Sequence, residues 1–488
     1  MNETIKQMRA EMQDVLENNI LRFWLDKMQD REHGGFYGRM DGHLQLHPDA
    51  EKGAILNARI LWAFSAAYRV LAPSGAVGGA AYLVAATRAK DYFIEHFIDH
   101  EYGGVYWSVD YKGRPLDTKK QFYAIGFAIY GLSEYARATG DREALDYALQ
   151  LYDCIEEHAL DREHNGYIEA MTRDWQPIAD MRLSDLDQNY PKSQNTHLHI
   201  IEPYTNLYRC LKEFHETESP NCNYVPAIGA VLPVGISILP ETIYRVSASL
   251  RNLIDIFTDR ILNPETHHLD LFFDMDWTRA GNASPAMSAG TASPAASVGD
   301  GFPVAARMES YGHDIECSWL MHEAALVLGD KQVLAKVEPI VQMVAKASEK
   351  GLRPDGSMIH EGCAAPSPTC HLCWHPVPAP ASPASPASPA SPAPLPPHLD
   401  DDLHWWVQAE NVVGWLNIYQ YFGDEEALQR AAAGWEYIKQ NLIDYEHGEW
   451  YWSRRNDGTL NLDDDHAGFW KCPYHNSRMC LETIERFA

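Results

Sequence analysis

A short acidic and aromatic element recurs six times along this 488-residue chain, and it constrains the fold more than any other feature of the sequence. In most copies an acidic, histidine-bearing lead-in stands beside a glycine or turn residue and aromatic residues. The copies are DREHGGFYGRMDGHL (30–44), DHEYGGVYWSVDYKGRP (99–115), DREHNGYIEAMTRDWQP (161–177), the weaker NPETHHLDLFFDMDW (263–277) and RPDGSMIHEG (353–362), and lastly DYEHGEWYWSRRNDGTL (444–460). Such alternating stretches with turn residues predict a β-hairpin at each copy.

Helical patterns lie between the copies. Apolar residues at i, i+3 and i+4 predict helices over 54–71, 122–139 and 409–423. Many patterns end at a Gly-Asp pair, as in TGD, LGD and FGD, which is typical of a helix C-terminus. Six copies with paired helices indicate six helical hairpins, which fit an open superhelical stack or a closed ring. Broad apolar faces and polar, aromatic-rich helix starts favour the ring, so we expect an all-α fold, an (α/α)6 barrel of six helical hairpins with short β-hairpins between them.

Three stretches break the repeat. Residues 215–250 hold an apolar run interrupted by prolines, residues 280–306 are rich in Ala, Ser, Gly and Pro, and residues 362–403 contain the tract PAPASPASPASPASPAPLPP. The last two cannot bury enough apolar surface to become ordered by themselves. Because the helical repeat resumes after each stretch, we predict three surface loops inserted into one barrel domain that spans 1–488.

Charge and composition exclude several classes of partner. The formal net charge is −28 and no block of Lys and Arg stands out, so we expect neither nucleic acid nor an anionic membrane as a partner. The N-terminal segment has no apolar signal-peptide core, and no uncharged apolar run is long enough to span a membrane. The cysteines stand mostly alone, as Cys154, Cys210, Cys317 and Cys480 do, which predicts reduced thiols and a cytoplasmic location.

Polar side chains cluster near predicted helix ends, beside aromatic residues. Pairs at i, i+3 or i, i+4 place a polar group and its partner on one helix face, and in a closed ring such faces can meet in one cavity. Aromatic walls with a few polar groups suit a sugar, whose C–H faces stack on rings while its hydroxyls meet carboxylates and amides. The candidates are Arg59, Tyr123, Asn195, His199, His313, Glu316, Trp319, Trp406, Glu410, Trp470 and His475.

Three chemistries compete for these residues. His313 and Glu316 could be a helix cap, a pair of metal ligands or an acid/base pair, but no second carboxylate–histidine cluster lies nearby in sequence, so we predict no metal there. Glycoside hydrolysis could use Glu316 and Glu410, but it would leave three histidines without a role. Proton transfer at a carbon next to a carbonyl uses histidine as acid or base.

A separate group of soft ligands lies in CAAPSPTCHLCWH (363–375). Cys363, Cys370, Cys373 and His375 could bind a metal, but a zinc ribbon would have more regular spacing and flanking hairpin patterns. We favour an insertion with incidental thiols, and the sequence does not decide whether these residues bind a metal.

Five motifs resemble the cellobiose 2-epimerases, a family within the N-acylglucosamine 2-epimerase superfamily of (α/α)6 barrels. They are KGAILNARILW, NTHLHIIEPYTNLYR, SYGHDIECSWL, WWVQAENVVGW and FWKCPYHNSRMCLE, in the family's order. The resemblance implies an enzyme without a metal or nucleotide cofactor. It would epimerise the reducing-end glucose of β-1,4-linked disaccharides, such as cellobiose, lactose and mannobiose, at C2.

The resemblance also implies a role for each candidate. His313 and His475 match the two catalytic histidines, which would pass the C2 proton through a cis-enediolate after ring opening. Arg59, Tyr123, Asn195 and His199 match the groups that polarise the substrate, with Arg59 and His199 stabilising the charge on O1. Glu316 and Glu410 match supporting carboxylates, Glu316 orienting His313, and Trp319, Trp406 and Trp470 match sugar-stacking aromatics. The alternatives are an aldose–ketose isomerase, an N-acylglucosamine 2-epimerase, or a disabled sugar-binding protein; a monomer and a homodimer both fit.

Overall fold

The computed structural model describes residues 2–74, 78–184, 187–218, 240–280, 308–363 and 400–488. Six inner helices each pack against the next, and the last packs against the first, so they close into a ring. The inner helices are α3 (Ala54–Leu71), α5 (Phe122–Thr139), α7 (Gln194–Glu218), α9 (Tyr311–Leu328), α11 (Trp405–Phe422) and α13 (His475–Arg486). The outer helices are α1 (Glu3–Val15), α4 (Gly79–His96), α6 (Arg142–Cys154), α8 (Pro240–Ile256), α10 (Lys331–Ser348) and α12 (Glu425–Asn441), and α2 (Leu21–Lys27) follows α1. The predicted (α/α)6 barrel is confirmed.

The two layers of helices differ in how they bury their side chains. Helix α5 is buried on every side from Phe122 to Ala136, and its small and aromatic residues fit between neighbouring inner helices. Helix α6 buries a single stripe of residues at i, i+3 and i+4. The sequence predicted α3 and α5 with their observed bounds, whereas α11 begins at Trp405, four residues before the predicted start.

Gly-Asp pairs join an inner helix to the following outer helix, as predicted. Gly140, Gly329 and Gly423 have φ between 70° and 77°, a left-handed conformation that ends the helix at little cost for glycine. The aspartate that follows each glycine caps the next helix through its carboxylate. For example, Asp330 Oδ1 accepts the Gln332 amide at 2.7 Å.

Side chains tie the recurring acidic elements to the ring. Asp30 Oδ1 accepts the amides of Glu32 and His33, a local turn that four further copies repeat with Asp99, Asp161, Asn263 and Asp444. The other oxygen of Asp30 binds the buried Lys52 ammonium at 2.7 Å. Equivalent lysines, Lys120 and Lys192, bind Asp99 and Asp161. These three ion pairs hold the first three turns beside the starts of α3, α5 and α7.

The predicted β-hairpins are mostly single bridges in the structure, and strand pairing runs largely between neighbouring copies. The two or three residues before an inner helix pair with the turn that follows the next outer helix, because the ring brings the two together. The antiparallel pairs are β1 (Lys52–Gly53) with β2 (Ser108–Val109), β2 with β3 (Pro115–Asp117), β4 (Lys120–Gln121) with β5 (Ala170–Met171), β6 (Lys192–Ser193) with β7 (Phe272–Phe273), β8 (Met308–Ser310) with β9 (Glu361–Cys363), and β10 (Leu403–His404) with β11 (Ser453–Arg454).

The three predicted loops fall mainly outside the described residues. The first is narrower than predicted, since α7 continues to Glu218 and α8 begins at Pro240, so only 219–239 lies outside. Residues 281–307 and 364–399 also lie outside, and with them Cys370, Cys373 and His375. Among the described helices, none is long and apolar enough to cross a membrane.

Candidate active site

The side chains predicted from the sequence converge on one end of the ring. An outer helix returns the chain between successive inner helices, so all six inner helices run in the same direction and their amino-terminal ends meet. The candidates near these ends are Arg59 on α3, Tyr123 on α5, Asn195 and His199 on α7, His313, Glu316 and Trp319 on α9, Trp406 and Glu410 on α11, His475 on α13, and Trp470 shortly before α13. Positive helix ends that converge in this way favour a negatively charged ligand or intermediate.

The centre of this end is Arg478, which the sequence interpretation did not include. It is fully buried and its Nη2 donates to Glu316 Oε1 and Glu410 Oε1, both at 2.6 Å. Its Nη1 donates to Glu202 Oε1 and to the Tyr474 hydroxyl. One guanidinium therefore joins carboxylates from three inner helices. Such partners of opposite charge are needed, because an unpaired buried charge destabilises the fold.

His475 is held by this network. Its Nδ1 lies 2.8 Å from Glu410 Oε1 and 3.9 Å from Glu316 Oε1. The contact with a carboxylate assigns the proton to Nδ1 and leaves Nε2 as the basic nitrogen. Burial lowers the pKa of His475 well below its usual value, with Arg59 and Arg478 adding to the effect, so the ring is neutral near pH 7.

His199 is supported in the same way from the other side of the network. Its Nδ1 lies 3.1 Å from Glu202 Oε2, and burial lowers its pKa. Helix α7 is kinked at His199 (φ −92°, ψ 15°) because Pro203 has no amide hydrogen for the carbonyl four residues earlier. Gly126 of α5 fits against the kink, where a Cβ would lie 2.4 Å from the His199 carbonyl oxygen.

Arg59 and Tyr123 form the adjoining wall. Arg59 Nη2 donates to the Tyr123 hydroxyl at 2.9 Å, and its guanidinium lies over the rings of Phe127 and Tyr474 at 4.1 and 4.6 Å. The Tyr123 ring in turn meets the His199 imidazole edge to face, with centroids 4.8 Å apart. Arg59 Nε has no hydrogen-bond partner in the described chain, although it is buried.

His313 and His475 lie against one aromatic ring. The Trp406 ring centroid is 4.9 Å from that of His313 and 5.6 Å from that of His475. Ser310 Oγ lies 2.7 Å from His313 Nδ1, and burial lowers the pKa of His313 well below its usual value. The Nε2 atoms of His313 and His475 have no hydrogen-bond partner among the described residues.

Two predicted roles do not fit these contacts. Glu316 is paired with Arg478 and lies near His475, so Ser310, rather than Glu316, orients His313. Trp319 is fully buried beneath Glu410, where its Nε1 donates to Glu410 Oε2 at 2.9 Å, and this burial does not fit a sugar-stacking role. The spacing along α9 was correct, but it could not tell which neighbouring helix each side chain meets.

The remaining candidates are only partly buried. Trp406 and Trp470 are half-buried, and Trp470 packs against Trp107 and Tyr123. Asn195 Oδ1 is buried without a hydrogen-bond partner in the described chain. Trp406 and Trp470 therefore keep exposed ring surface for a ligand, and Asn195 keeps an unused hydrogen-bond acceptor.

Burial also controls the charges of the three carboxyl groups. It would raise the pKa of Glu202, but Arg478 and His199 lower that pKa to about 2, so Glu202 is ionised. Burial and the nearby Glu410 raise the pKa of Glu316, and Glu316 Oε2 has no partner in the described chain. Burial also raises the pKa of Glu410, but less strongly than that of Glu316, because Arg478 and the hydrogen bond from Trp319 oppose the rise. With Glu316 protonated, Glu202 and Glu410 are the carboxylates that lie opposite Arg59 and Arg478.

Glu316, Glu410 and His475 could in principle hold a metal ion. However, the Arg478 guanidinium binds the Oε1 atoms of both carboxylates at 2.6 Å and supplies the positive charge that they need. A metal ion would have to displace Arg478 into a buried position with fewer partners.

The sequence contained a signal for the network around Arg478, because His199 and Glu202 repeat the i, i+3 spacing of His313 and Glu316.

The sequence and the fold can be compared with known proteins. The sequence model of the family described as N-acylglucosamine 2-epimerase (GlcNAc 2-epimerase) matches residues 35–208 and 393–478. A cellobiose 2-epimerase of Bacteroides fragilis is 48% identical over 484 residues, which cover 99% of this chain and 100% of the relative. A cellobiose 2-epimerase of Ruminococcus albus is 34% identical, with 98% of this chain and 99% of the relative covered.

Solved structures agree with these relatives. A cellobiose 2-epimerase from Bacillus thermoamylovorans superposes with a TM-score of 0.75 at 35% identity, and the match covers 99% of this chain and 100% of that one. The match spans the whole ring, including the end at which the buried charges and histidines converge. The chain therefore belongs to the cellobiose 2-epimerases of the N-acylglucosamine 2-epimerase family, and it is a carbohydrate epimerase.

Proposed function

We propose that this enzyme epimerises the reducing-end glucose of β-1,4-linked disaccharides at C2, with cellobiose, lactose and mannobiose as substrates, and that His313 and His475 transfer the proton. The observation that carries the proposal is that two histidines from different inner helices, the half-buried His313 and the buried His475, lie against the same indole, that of Trp406, and that both have lowered pKa values. Inversion at a carbon next to a carbonyl needs a base on one face and an acid on the other.

Ring opening comes first, because the C2 proton becomes acidic only next to the C1 aldehyde. His199 is suited to take the O1 hydroxyl proton at Nε2, since its Nδ1 hydrogen is directed at the ionised Glu202. The C1–O5 bond then breaks as the C1 aldehyde forms, and O5 takes a proton from solvent, which is balanced when His199 later gives up the O1 proton. The His199 imidazolium that results can donate a hydrogen bond to O1 in the next step.

Proton transfer at C2 follows from the open-chain sugar. One imidazole takes the proton as the C2–H bond breaks, and the electron pair moves onto O1 as a cis-enediolate. Arg59, the His199 imidazolium and the converging helix ends favour this charge. The negative charge of the enediolate favours protonation of the second histidine by solvent, and this imidazolium then delivers its proton to the opposite face of C2, which gives the mannose configuration. The first histidine returns the proton it took from C2 to solvent.

His475 and His313 have different hydrogen-bond partners at Nδ1, and this difference suits the transfer of a proton from one face of C2 to the other. Glu410 directs the Nδ1 hydrogen of His475, which makes Nε2 of that ring a base. The Ser310 hydroxyl can donate to or accept from Nδ1 of His313, so this ring can present either a lone pair or a hydrogen at Nε2. The half-buried Trp406 and Trp470 supply aromatic surface for the sugar.

The test is turnover of cellobiose in D2O with identification of the product by NMR. We expect 4-O-β-glucosyl-mannose that carries deuterium at C2, because the returning proton comes from a histidine in exchange with solvent. The same product without deuterium would contradict the two-histidine route. A ketose as the main product would instead indicate an aldose–ketose isomerase, and bound but unchanged cellobiose would indicate a sugar-binding protein.

A further inference from the structure

A second cluster of ligand-type side chains lies beside the candidate active site, and the proposed reaction does not use it. His360, Asp400 and His404 each offer one ligand atom within 4.8 Å of the other two. Asp400 Oδ2 is 2.9 Å from His404 Nε2 and 3.4 Å from His360 Nδ1. The His360 ring lies 5.1 Å from Trp406 and 6.0 Å from His313, measured between ring centroids, so the cluster borders the site.

The backbone holds the three residues in place. His360 directly precedes β9, and its carbonyl oxygen accepts the Tyr311 amide at 3.0 Å, at the start of α9. His404 ends β10, directly before α11. The Asp400 carbonyl oxygen accepts the Glu361 amide at 3.0 Å, and the Asp400 amide donates back to Glu361 Oε2 at 3.1 Å. The three residues thus lie just before β9, just before β10 and at the end of β10, beside the amino-terminal ends of α9 and α11.

In the described ranges, the cluster lacks both a Lys or Arg partner for its carboxyl groups and a full set of hydrogen bonds. Glu361, Asp400 and Asp402 bring three carboxyl groups together, and none of them pairs with a Lys or Arg side chain in the described ranges. Both ring nitrogens of His360 lack a hydrogen bond of normal geometry there, although its side chain is only 15% exposed. The similar group Glu316, Glu410 and His475 differs because Arg478 supplies its cation.

We infer that His360, Asp400 and His404 form a binding site for a divalent transition-metal ion of the zinc type. Two imidazoles and one carboxylate are ligands that such ions prefer, and a fourth position remains for water or Glu361. Metal–ligand bonds of about 2.0–2.2 Å place ligand atoms about 3–3.5 Å apart, so a small rotation of His360 completes the site. The site is separate from the epimerase reaction and would fasten β9 and β10 together beside Trp406.

Cobalt(II) tests the site on the full chain, because it replaces zinc and absorbs visible light. We expect one equivalent to bind with a weak ligand-field band and without the intense near-ultraviolet band of a Co–thiolate bond, which separates this site from Cys363, Cys370 and Cys373. His404→Ala and His360→Ala should each weaken binding at least tenfold. His47→Ala is the matched control, since His47 also pairs with an aspartate, Asp41, at 2.9 Å but has no second histidine in its group.

Asp400→Asn guards against loss of folding, because it keeps the shape and an accepting oxygen while it removes the charge. We expect binding to weaken at least tenfold in this variant with unchanged circular dichroism. No binding to the unaltered chain at millimolar cobalt, or binding that survives His360→Ala, His404→Ala or Asp400→Asn unchanged, would overturn the inference. Cellobiose turnover is measured separately, so failure of the metal site and failure of the proposed reaction are distinguishable.

Discussion

The two ends of the ring of inner helices both carry buried charges, but they satisfy them differently. At the carboxyl-terminal end, Glu134 accepts from Arg69 at 2.6 Å and from Arg137 at 2.8 Å, and Arg137 also binds Glu213. Further pairs there are Arg69 with Glu485, Arg209 with Glu323, and Arg486 with Glu482. Each of these charged groups has a partner of opposite charge.

The amino-terminal end also has a network, centred on Arg478, but some of its donors and acceptors have no hydrogen-bond partner. Arg59 Nε, Asn195 Oδ1 and Glu316 Oε2 are buried without hydrogen-bond partners in the described chain. A buried polar atom without a partner destabilises a protein by roughly 1–3 kcal/mol, so such atoms persist where a ligand completes them. Buried charge alone therefore does not distinguish the two ends. Within the two networks, as far as the structure describes them, unpaired atoms of Arg and Glu side chains occur only at the amino-terminal end, although neutral atoms such as His322 Nε2 lack a partner at the other end.

The largest expected effect separates two histidines of the same helix, α9: the half-buried His313 and the buried His322. His313→Gln, and likewise His475→Gln, should lower kcat on cellobiose by about 10²–10⁴-fold, because general acid–base catalysis contributes that much. His322→Gln, at the carboxyl-terminal end, should keep kcat within about twofold, since His322 hydrogen-bonds Asn417 and packs against the rings of Tyr421 and Phe422, away from the candidate site.

Steady-state kinetics on folded protein, checked by circular dichroism, measures this difference. An equal loss of kcat in His322→Gln and His313→Gln would break the distinction between the two ends. Full activity in His313→Gln or His475→Gln would remove that histidine from the reaction.

The next effect compares two buried arginines. Arg478→Met should lower the free energy of unfolding by about 3–5 kcal/mol, because it takes the cation away from buried carboxylates. Arg137→Met should lower it by less, because Glu134 keeps its ion pair with Arg69 and the side chain of Glu213 is 44% exposed. Only Arg478→Met should also lower kcat of the folded fraction, by at least about tenfold, since His475 and His199 depend on carboxylates that Arg478 holds.

Chemical denaturation and kinetics on the same preparations separate stability from activity. Arg478→Lys keeps one charge but not the forked geometry, and we expect it to recover stability more than kcat. Unchanged kcat in Arg478→Met would show that Arg478 serves stability alone, as Arg137 does.

The pH dependence of activity follows from the lowered pKa values of His313 and His475. The base must be neutral, and burial keeps both rings neutral at a lower pH than an exposed histidine. The acid limb of kcat/KM should therefore lie below about pH 6.5, the usual value for histidine. A limb centred at or above this value, in protein that remains folded, would contradict the assigned burial.

The smallest effect concerns Trp319, beneath the site. Trp319→Phe removes the hydrogen bond to Glu410 but keeps most of the ring, so we expect a loss of about 1–3 kcal/mol in unfolding free energy and a few-fold loss in kcat. KM for cellobiose should stay within about twofold if Trp319 does not touch the sugar. A large rise in KM with unchanged kcat would restore the sugar-stacking role.

Local features of the fold could be predicted from the sequence because their causes are local. Helices α3 and α5 show their apolar spacing over their whole lengths, and each Gly-Asp pair ends one helix and caps the next. The predicted loop over 215–250 wrongly includes the first part of helix α8 (Pro240–Ile256), because prolines lie just before it, although Pro240 is compatible with the first turn of a helix. The pairing of strands between neighbouring copies could not be predicted, since it depends on closure of the ring.

In the candidate site, too, features with local causes could be predicted and features that depend on other helices could not. His313, His475, His199 and Arg59 are candidates from the sequence because their residue types and helix-start positions are visible there, and the structure brings them to one end of the ring. Arg478 was not found, because its importance comes from three carboxylates on other helices that no single segment reveals. The assignments of Glu316 and Trp319 changed for the same reason, since a helix face does not specify which neighbour it meets.

Hydrogen exchange at C2 in the single histidine variants tests the two-histidine account most directly. In D2O, His313→Gln and His475→Gln should not interconvert cellobiose and glucosyl-mannose, but each retains one base on one face of C2. We predict that each variant exchanges the C2 hydrogen of a single epimer, and that the two variants act on opposite epimers. Exchange of the same epimer by both variants, or epimerisation that survives loss of either histidine, would contradict the account.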